Sequence, residues 1–227
     1  MVEEILNWEP EGPALLTKVD SFGRTPLHFA IRYADLDVVD LFLNVPISDE
    51  LARMSDSDGS FPVHIAAMIG STAAIDKLVQ KCPDYYEMVD AQGRNLLHCA
   101  VQYNRDALVR YICQNDTFSM LLNAVDYDGN TPLHLAAKYG FPRIVSLLLQ
   151  TMTVKINIAN KDGPTARALA IHELSPRREI YYILVNISCI TSARYYIIIP
   201  IFACMCIILF RSAGLVLFYI KRKLGQG

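Results

Sequence analysis

Apolar residues recur along most of the chain in two kinds of short stripe that alternate with polar turns. The first kind has helical spacing, as in Leu133, Ala136 and Ala137, and it follows a turn that contains glycine. The second kind is a longer apolar run, such as residues 144–149. This alternation predicts pairs of short helices. Because a single pair cannot bury both stripes, neighbouring pairs must stack into a solenoid.

The turn before each first helix recurs at a nearly constant distance. Its glycine stands at Gly23, Gly59, Gly93, Gly129 and Gly163, with separations of 36, 34, 36 and 34 residues. Three positions earlier stand Asp20, Asp56, Asp90, Asp126 and Asn160, and five positions after the first four glycines stand His28, His64, His98 and His134. Five aligned copies of a turn followed by a helix indicate an internal repeat.

The first and fourth copies carry the most complete signal for the start of a helix. It reads Thr25-Pro26-Leu27-His28 in one and Thr131-Pro132-Leu133-His134 in the other. The threonine hydroxyl can accept an unpaired amide proton of the first turn, and proline at the first helical position loses no hydrogen bond. Copy three has Asn95 at the capping position, and we expect this asparagine to cap its helix. Copy two has Phe61 there, so its cap must come from Ser60 or be weak.

The motif Thr-Pro-Leu-His-x-Ala, with a period near ~33 residues, resembles the ankyrin repeat. The resemblance covers roughly residues 1–175 and implies an all-α solenoid of helical hairpins whose turns project as β-turn fingers. It predicts ankyrin repeats at 20–55, 56–89, 90–125 and 126–159, a partial repeat with only a second helix at 1–19, and a terminal half-repeat at 160–175. In the partial repeat, Val2, Ile5 and Leu6 form the stripe of a second helix, so we expect the chain to start inside a repeat.

The C-terminal part, residues 177–227, differs in composition from the rest of the chain. It carries a net charge of +6, against −8 for residues 1–176. A basic, apolar tail on an acidic body suggests contact with a membrane and argues against nucleic-acid binding by the body. Residues 195–220 are long enough to span a bilayer, although Arg211 interrupts them. The alternatives are a hydrophobic helix packed on the end of the solenoid and a translated non-coding or frame-shifted tail.

The candidate chemical groups in the repeats have structural explanations. The repeated histidines belong to successive helices roughly 8–10 Å apart, which is too far to share one metal ion at bonds of about 2 Å. We expect each histidine to bond nearby backbone and tie neighbouring turns together. The six cysteines match no zinc spacing, and reduced cytosolic thiols are the simpler interpretation. Since no phosphate loop or nucleophile elbow is present, the sequence predicts no enzyme, cofactor, metal or small-molecule substrate.

Ankyrin proteins generally bind partners through their turn tips and the concave face of their helices, so the resemblance implies that this chain binds other proteins there. The candidate contact residues are Phe22, Ser57, Asp58, Arg94, Tyr127, Asp128 and Asn130. Aromatic residues and arginine are enriched in binding hot spots. For Phe22 and Tyr127, packing against the neighbouring turn is an equally good interpretation.

Repeats of this form, followed by a membrane segment, resemble the plant ankyrin–transmembrane family of the accelerated-cell-death type. Residues 63–67 and 155–163 are similar to its repeats. The resemblance implies a scaffold in plant defence or stress signalling, anchored in the plasma membrane or an endomembrane, with the repeats facing the cytosol. That family usually has a Pro-Gly-Gly domain with several spans, which is absent here. We therefore expect a member truncated at both ends. The alternatives are a soluble adaptor or inhibitor whose tail packs on the solenoid, and a fragment of a channel-like, multi-span protein.

Overall fold

The computed structural model describes residues 11–172. Residues 1–10 and 173–227 lie outside it, and with them the predicted helical stripe near the N-terminus and the predicted membrane segment at 195–220. Between residues 11 and 172, no helix is long and apolar enough to cross a membrane. This part of the chain is helical, with one isolated bridge between Ala159 and Thr165 as its only extended pairing.

The helices follow one another in pairs. The first members, called inner helices here, are α2 (Pro26–Arg32), α5 (Pro62–Ile69), α7 (Leu96–Gln102), α9 (Pro132–Tyr139) and α11 (Ala166–His172). The second members, the outer helices, are α3 (Leu36–Leu43), α6 (Thr72–Lys81), α8 (Asp106–Gln114) and α10 (Pro142–Gln150). The short helix α1 (Glu11–Leu15) precedes the first repeat. The short helix α4 (Ser48–Arg53) and the 3₁₀ helices Tyr85–Glu87 and Asp116–Leu121 lie in the links between repeats.

Neighbouring repeats stack through both layers of helices. In the inner layer α2 packs on α5, α5 on α7, α7 on α9 and α9 on α11, while in the outer layer α3 packs on α6 and α8 on α10. The inner helices carry fully buried alanines, which allow close approach of their backbones: Ala66, Ala67, Ala100, Ala136 and Ala137. Larger aliphatic residues such as Leu108 and Ile144 fill the space beneath the outer helices. The predicted all-α solenoid is thus confirmed over the described range.

The repeats are alternately 36 and 34 residues long, and the extra residues lie in the links that follow the outer helices. The first repeat has the extra turn of α4, and the third has the longer of the two 3₁₀ helices. These links are packed rather than loose. Tyr85 donates a hydrogen bond of 2.5 Å from its hydroxyl to the carbonyl of Thr117, and its ring lies 5.5 Å from that of the buried Phe118. The link length can therefore vary without changing the spacing of the fingers.

Most helix ends follow the sequence signals, including the departures, although Thr25 makes no side-chain hydrogen bond to the backbone of the first turn of α2. Asn95 caps α7, since its Oδ1 accepts from the backbone N–H groups of Leu97 and His98 at 3.0 and 3.1 Å. Phe61 stands at the capping position of α5 and has no side-chain acceptor, so α5 lacks this bond. At the end of α2, Ala34 adopts a left-handed conformation with φ of 57°. A Cβ disfavours this conformation by roughly 1 kcal/mol relative to glycine.

Candidate partner-binding surface

Each of the turns before the first four inner helices is held by an aspartate. In the fourth repeat, Asp126 Oδ1 accepts hydrogen bonds from the backbone N–H groups of Asp128 and Asn130 at 3.0 and 2.7 Å. The N–H of Gly129, which has φ of 81°, donates to the Asp126 carbonyl at 2.9 Å. The same carboxylate pattern recurs at Asp20, Asp56 and Asp90. Each finger is therefore a closed turn that presents its second and third residues outward.

Hydrogen bonds join the fingers into a ladder. The N–H of the second residue in each finger donates to the carbonyl of the third residue in the preceding finger. The pairs are Ser57 to Phe22 at 2.9 Å, Ala91 to Asp58 at 3.2 Å, Tyr127 to Gln92 at 2.9 Å and Lys161 to Asp128 at 2.9 Å. Because backbone atoms alone make these bonds, the side chains at both positions can vary. The ladder therefore holds a row of variable side chains at fixed spacing.

The repeated histidines join the inner helices to these fingers. Each Nδ1 accepts from the backbone N–H of the residue at the capping position, at 3.2, 3.0, 3.3 and 3.2 Å for His28, His64, His98 and His134. An Nδ1 that accepts leaves the proton on Nε2. Accordingly, His28 Nε2 lies 3.1 Å from the Ser60 carbonyl, and His98 Nε2 lies 2.9 Å from that of Asn130. The buried Nε2 atoms of His64 and His134 have no hydrogen-bond partner among residues 11–172, so only two of the four histidines bond the next repeat in this way. Burial lowers the pKa of His64 and of His98 to about 4. These side chains are neutral parts of the scaffold.

Most of the predicted contact residues lie on the surface of the fingers. Ser57, Asp58 and Asp128 are exposed, and Phe22 and Tyr127 expose 60% and 59% of their area. Both aromatic rings also pack. The Tyr127 ring lies against Gly93 of the preceding finger, so closely that a Cβ on Gly93 would come within 2.7 Å of the ring carbon Cγ. The Arg24 guanidinium lies 4.4 Å from the centre of the Phe22 ring. Phe22 and Tyr127 can therefore pack on neighbouring residues and still expose enough of their rings to contact a partner.

Arg94 and Asn130 are placed differently from the other candidates. The Arg94 side chain is only 19% exposed, because its Nη2 lies 2.7 Å from Asp90 Oδ2 and 2.6 Å from Gln92 Oε1. Asn130 is 6% exposed, and its side chain bonds Asp126 and Asn160. Asn130 thus lies inside the finger stack, where a partner cannot reach its side chain. It contributes to the scaffold rather than to a contact surface.

The structure adds a column of tyrosines that the sequence reasoning missed. Tyr33, Tyr103 and Tyr139 lie at the C-terminal ends of α2, α7 and α9 and expose 76%, 47% and 39% of their area, while Ile69 holds the same position in the second repeat. The signal was present in the sequence, because these residues follow the period of the finger glycines. It is weaker than the scaffold signal, since only three of the four copies carry tyrosine at this position.

The tyrosine column and the fingers share one face of the solenoid. Arg94 bonds Gln92 in its finger and Gln102 at the end of α7, the residue before Tyr103. Tyr139 in the next repeat is close enough to interact electrostatically with Arg94. We call this surface the finger–helix face. It consists of the finger residues Phe22, Ser57, Asp58, Tyr127 and Asp128 and the helix-end residues Tyr33, Tyr103 and Tyr139.

The described residues offer little chemistry beyond recognition. Between residues 11 and 172 no group of three or more His, Cys, Asp or Glu side chains could hold a metal ion. Cys82, Cys99 and Cys113 are free thiols. Burial raises the pKa of Cys99 to about 12, and it also raises the pKa of Cys82 and of Cys113. A thiol with a raised pKa is a poor nucleophile at neutral pH.

A stack of helical hairpins joined by a ladder of β-turn fingers defines a class of repeat protein whose exposed side chains vary over a constant scaffold. Two family models identify the class. Ankyrin repeats in three copies match residues 35–122, and ankyrin repeats in many copies match residues 97–149. The chain is an ankyrin-repeat protein.

Curated relatives share these repeats at modest identity. The chain is 27% identical over 173 residues to the probable 26S proteasome regulatory subunit p28 of Saccharomyces cerevisiae, which covers 74% of this chain and 73% of that protein. It is 30% identical to mouse rabankyrin-5 over 165 residues, 73% of this chain and 14% of that protein. It is 32% identical to the human transient receptor potential cation channel subfamily A member 1 over 133 residues, 58% of this chain and 12% of the channel. The chain thus spans only a small part of the two larger relatives.

Proposed function

We propose that the chain is a non-catalytic scaffold that binds a partner protein through the finger–helix face. Ankyrin repeats suggest a protein–protein interaction scaffold, and the observation that carries the choice of surface is the tyrosine column beside the fingers. Tyrosine side chains supply large apolar contact area with few rotatable bonds and a hydroxyl for hydrogen bonding. Three of them at one repeat position, together with Phe22 and Tyr127 at the finger tips, form an extended aromatic surface.

The rigidity of the face supports the same proposal. A surface that is ordered before binding loses less conformational entropy when a partner docks. The backbone ladder fixes the fingers, and Arg94 links its finger to the end of α7 through Gln92 and Gln102. The Tyr127 ring is held against Gly93. The finger tips, the Tyr127 ring and the end of α7 are therefore held in one arrangement.

Capture of partners by matched variants of the full-length chain tests this proposal. The test variant replaces Tyr103 and Tyr139 together by serine. The control variant replaces Met120 and Met152 by serine, since these residues are 68% and 82% exposed and lie in the links rather than on the finger–helix face. We expect the proteins captured by the wild type to be retained by the control and lost, by tenfold or more, from the tyrosine variant. Equal loss from both variants, with both chains folded, would contradict the proposal.

We also propose that residues 195–220 anchor this scaffold in a membrane. The support is compositional, because residues 195–210 contain no charged residue and three basic residues follow at 221–223. If the anchor is real, the full-length chain stays in the membrane pellet after alkaline carbonate extraction and a chain ending at residue 176 does not. Release of the full-length chain into the carbonate supernatant would instead favour the soluble adaptor. The role in plant defence rests on the resemblance alone and stays a prediction.

A further inference from the structure

A second surface lies at the end of the solenoid that begins with the first finger. A groove of about 390 Å³ opens there between α2 and α3. Its lining is apolar: Phe29, Ala30 and Tyr33 come from α2, Val38 and Phe42 come from α3, and Asp35 lies at the rim. We call it the end groove. It does not overlap the fingers, although Tyr33 borders both surfaces.

The same face is covered in every later repeat. Phe29 and Val38 of the end groove are half-buried, whereas the residues that correspond to them are at most 6% exposed in the next three copies: Ile65 and Ala74, then Cys99 and Leu108, then Leu135 and Ile144. In each of these copies the preceding inner helix packs over the face. The end groove therefore has the shape of a site for an inner-type helix, continuous with an interface that this molecule already forms four times.

The backbone of the first finger agrees with this assignment. In the later fingers the N–H groups of Ser57, Ala91, Tyr127 and Lys161 each donate to a carbonyl of the preceding finger. Ser21 holds the equivalent position in the first finger, and among residues 11–172 its N–H has no hydrogen-bond acceptor. An incoming segment that carries a turn before its helix could supply that carbonyl, as Phe22, Asp58, Gln92 and Asp128 do elsewhere.

We propose that the end groove docks an amphipathic helix of a partner protein, which takes the place of a preceding inner helix. The helix needs about two turns and an aliphatic stripe, because the inner helices that fill the equivalent sites are seven or eight residues long and carry buried aliphatic pairs four positions apart. Arg32 is exposed beside Tyr33 and makes no ion pair within the described range. An acidic residue near the C-terminal end of the partner helix would complement it. Apart from Tyr33, which borders both surfaces, this site shares no residue with the finger–helix face, and it does not depend on the function proposed for that face.

A synthetic peptide copied from the chain's own inner helix provides the probe. It reproduces residues 126–140, the finger and helix of the fourth repeat, and carries a fluorescent label and a helix-stabilising link. Its control has Leu133→Asp and Ala137→Asp, which destroy the aliphatic stripe. We expect full-length chain to bind the probe saturably in an anisotropy titration and to bind the control at least tenfold more weakly. A probe with Lys138→Glu should bind several-fold more tightly than the original, and Arg32→Gln in the chain should abolish that gain.

Variants of the chain show where the probe binds. Val38→Asp lies in the end groove at a half-buried position and should weaken probe binding at least tenfold. Tyr103→Ser lies on the finger–helix face and should leave probe binding unchanged within twofold, and circular dichroism verifies that both variants are folded. Absence of saturable binding by the folded wild type would overturn the proposal, and so would equal binding by the Val38 variant.

A photo-crosslinking amino acid at position 33 identifies any other occupant. Without peptide, we expect no crosslink, and with peptide we expect a crosslink to the probe. A crosslink formed without peptide, to residues 1–10 or 173–227 of the same chain or to a second copy, would show that the groove is already filled, and the proposal would fall.

Discussion

The two ends of the described solenoid differ although both are built from copies of the same repeat motif. At the first finger, α2 and α3 present the apolar end groove. At the other end, α11 replaces two scaffold residues: Arg167 stands where the other copies have leucine or valine, and Ala168 stands where they have histidine. Arg167 is exposed. A charged residue in place of an aliphatic one suits a surface that meets water, and an apolar groove suits one that meets another helix.

The burial of a residue therefore depends on its position in the stack and not on the repeat motif alone. Val38, Leu108 and Ile144 hold the same repeat position, yet Val38 is half-buried in the end groove and the other two are fully buried. Substitutions at equivalent positions should therefore change the free energy of unfolding by different amounts at the ends and in the interior.

The largest effect on stability is expected from truncating a core side chain. The comparison uses two separate variants at the same repeat position, one in the interior and one at the end. Leu108→Ala leaves a cavity in the closed interior and should lower the free energy of unfolding by about 3 kcal/mol. Val38→Ala removes fewer atoms from a surface that is already open and should cost about 1 kcal/mol or less. Urea denaturation of the two variants measures both. Equal losses would mean that the end groove is as closed as the interior.

Acid should destabilise the interior through its histidines. Burial lowers the pKa of His64 and of His98 to about 4, below the value near ~6.5 expected in the unfolded chain. Below pH 6.5 the unfolded chain therefore binds protons that the folded chain does not, and stability falls until the pH reaches the folded pKa. The expected loss between pH 7 and pH 5 is about 2 kcal/mol for each of these two histidines.

Denaturation at several pH values checks this prediction, with His98→Asn as the test variant. The variant should lose about 2 kcal/mol of the pH dependence between 7 and 5, whatever its stability at pH 7. His28→Asn in the end repeat serves as the comparison, since burial lowers its pKa too and its Nε2 also faces a carbonyl of the next repeat. A pH dependence that both variants retain in full would show that other groups cause it.

Restoring a helix cap in the second repeat should have a smaller, stabilising effect. Phe61→Thr supplies the acceptor that α5 lacks and should raise the free energy of unfolding by about 1 kcal/mol. The reverse change, Thr131→Ala, removes the acceptor that His134 N–H uses at 3.4 Å and should lower it by a similar amount. Thermal melts of the two variants should therefore move in opposite directions. Destabilisation by Phe61→Thr would mean that packing of the ring against His64 outweighs the missing cap.

The smallest effect is expected at the end of α2. Ala34→Gly relieves the left-handed conformation and should stabilise the chain by about 0.5 kcal/mol, because the greater freedom of glycine in the unfolded chain offsets part of the gain. Asn104 adopts the same conformation with φ of 54°, but asparagine tolerates it. Asn104→Gly should therefore change the melting temperature less than Ala34→Gly does. A larger gain at Asn104 would contradict the assignment of strain to Ala34.

Positions that stay constant between copies could be predicted from the sequence because each one performs a local task. The finger glycines, the capping residues Thr131 and Asn95 and the unusual Ala34 all have roles set by neighbours within a few residues. The residues of the finger–helix face were harder to predict, because exposure depends on neighbouring repeats. Asn130 and Tyr127 belong to the same finger. Stacking of the neighbouring repeats buries Asn130 and leaves Tyr127 exposed.

Hydrogen–deuterium exchange with a captured partner is the most direct test of whether the partner binds the finger–helix face. On addition of the partner to full-length chain, we predict slower exchange at the N–H groups of the finger tips, including Asp58 and Asp128, and at the ends of α7 and α9. The N–H groups of the outer helices α6 and α8 should exchange at an unchanged rate. Protection confined to the outer helices or to their links, with the fingers unaffected, would contradict the assignment of the finger–helix face as the binding surface.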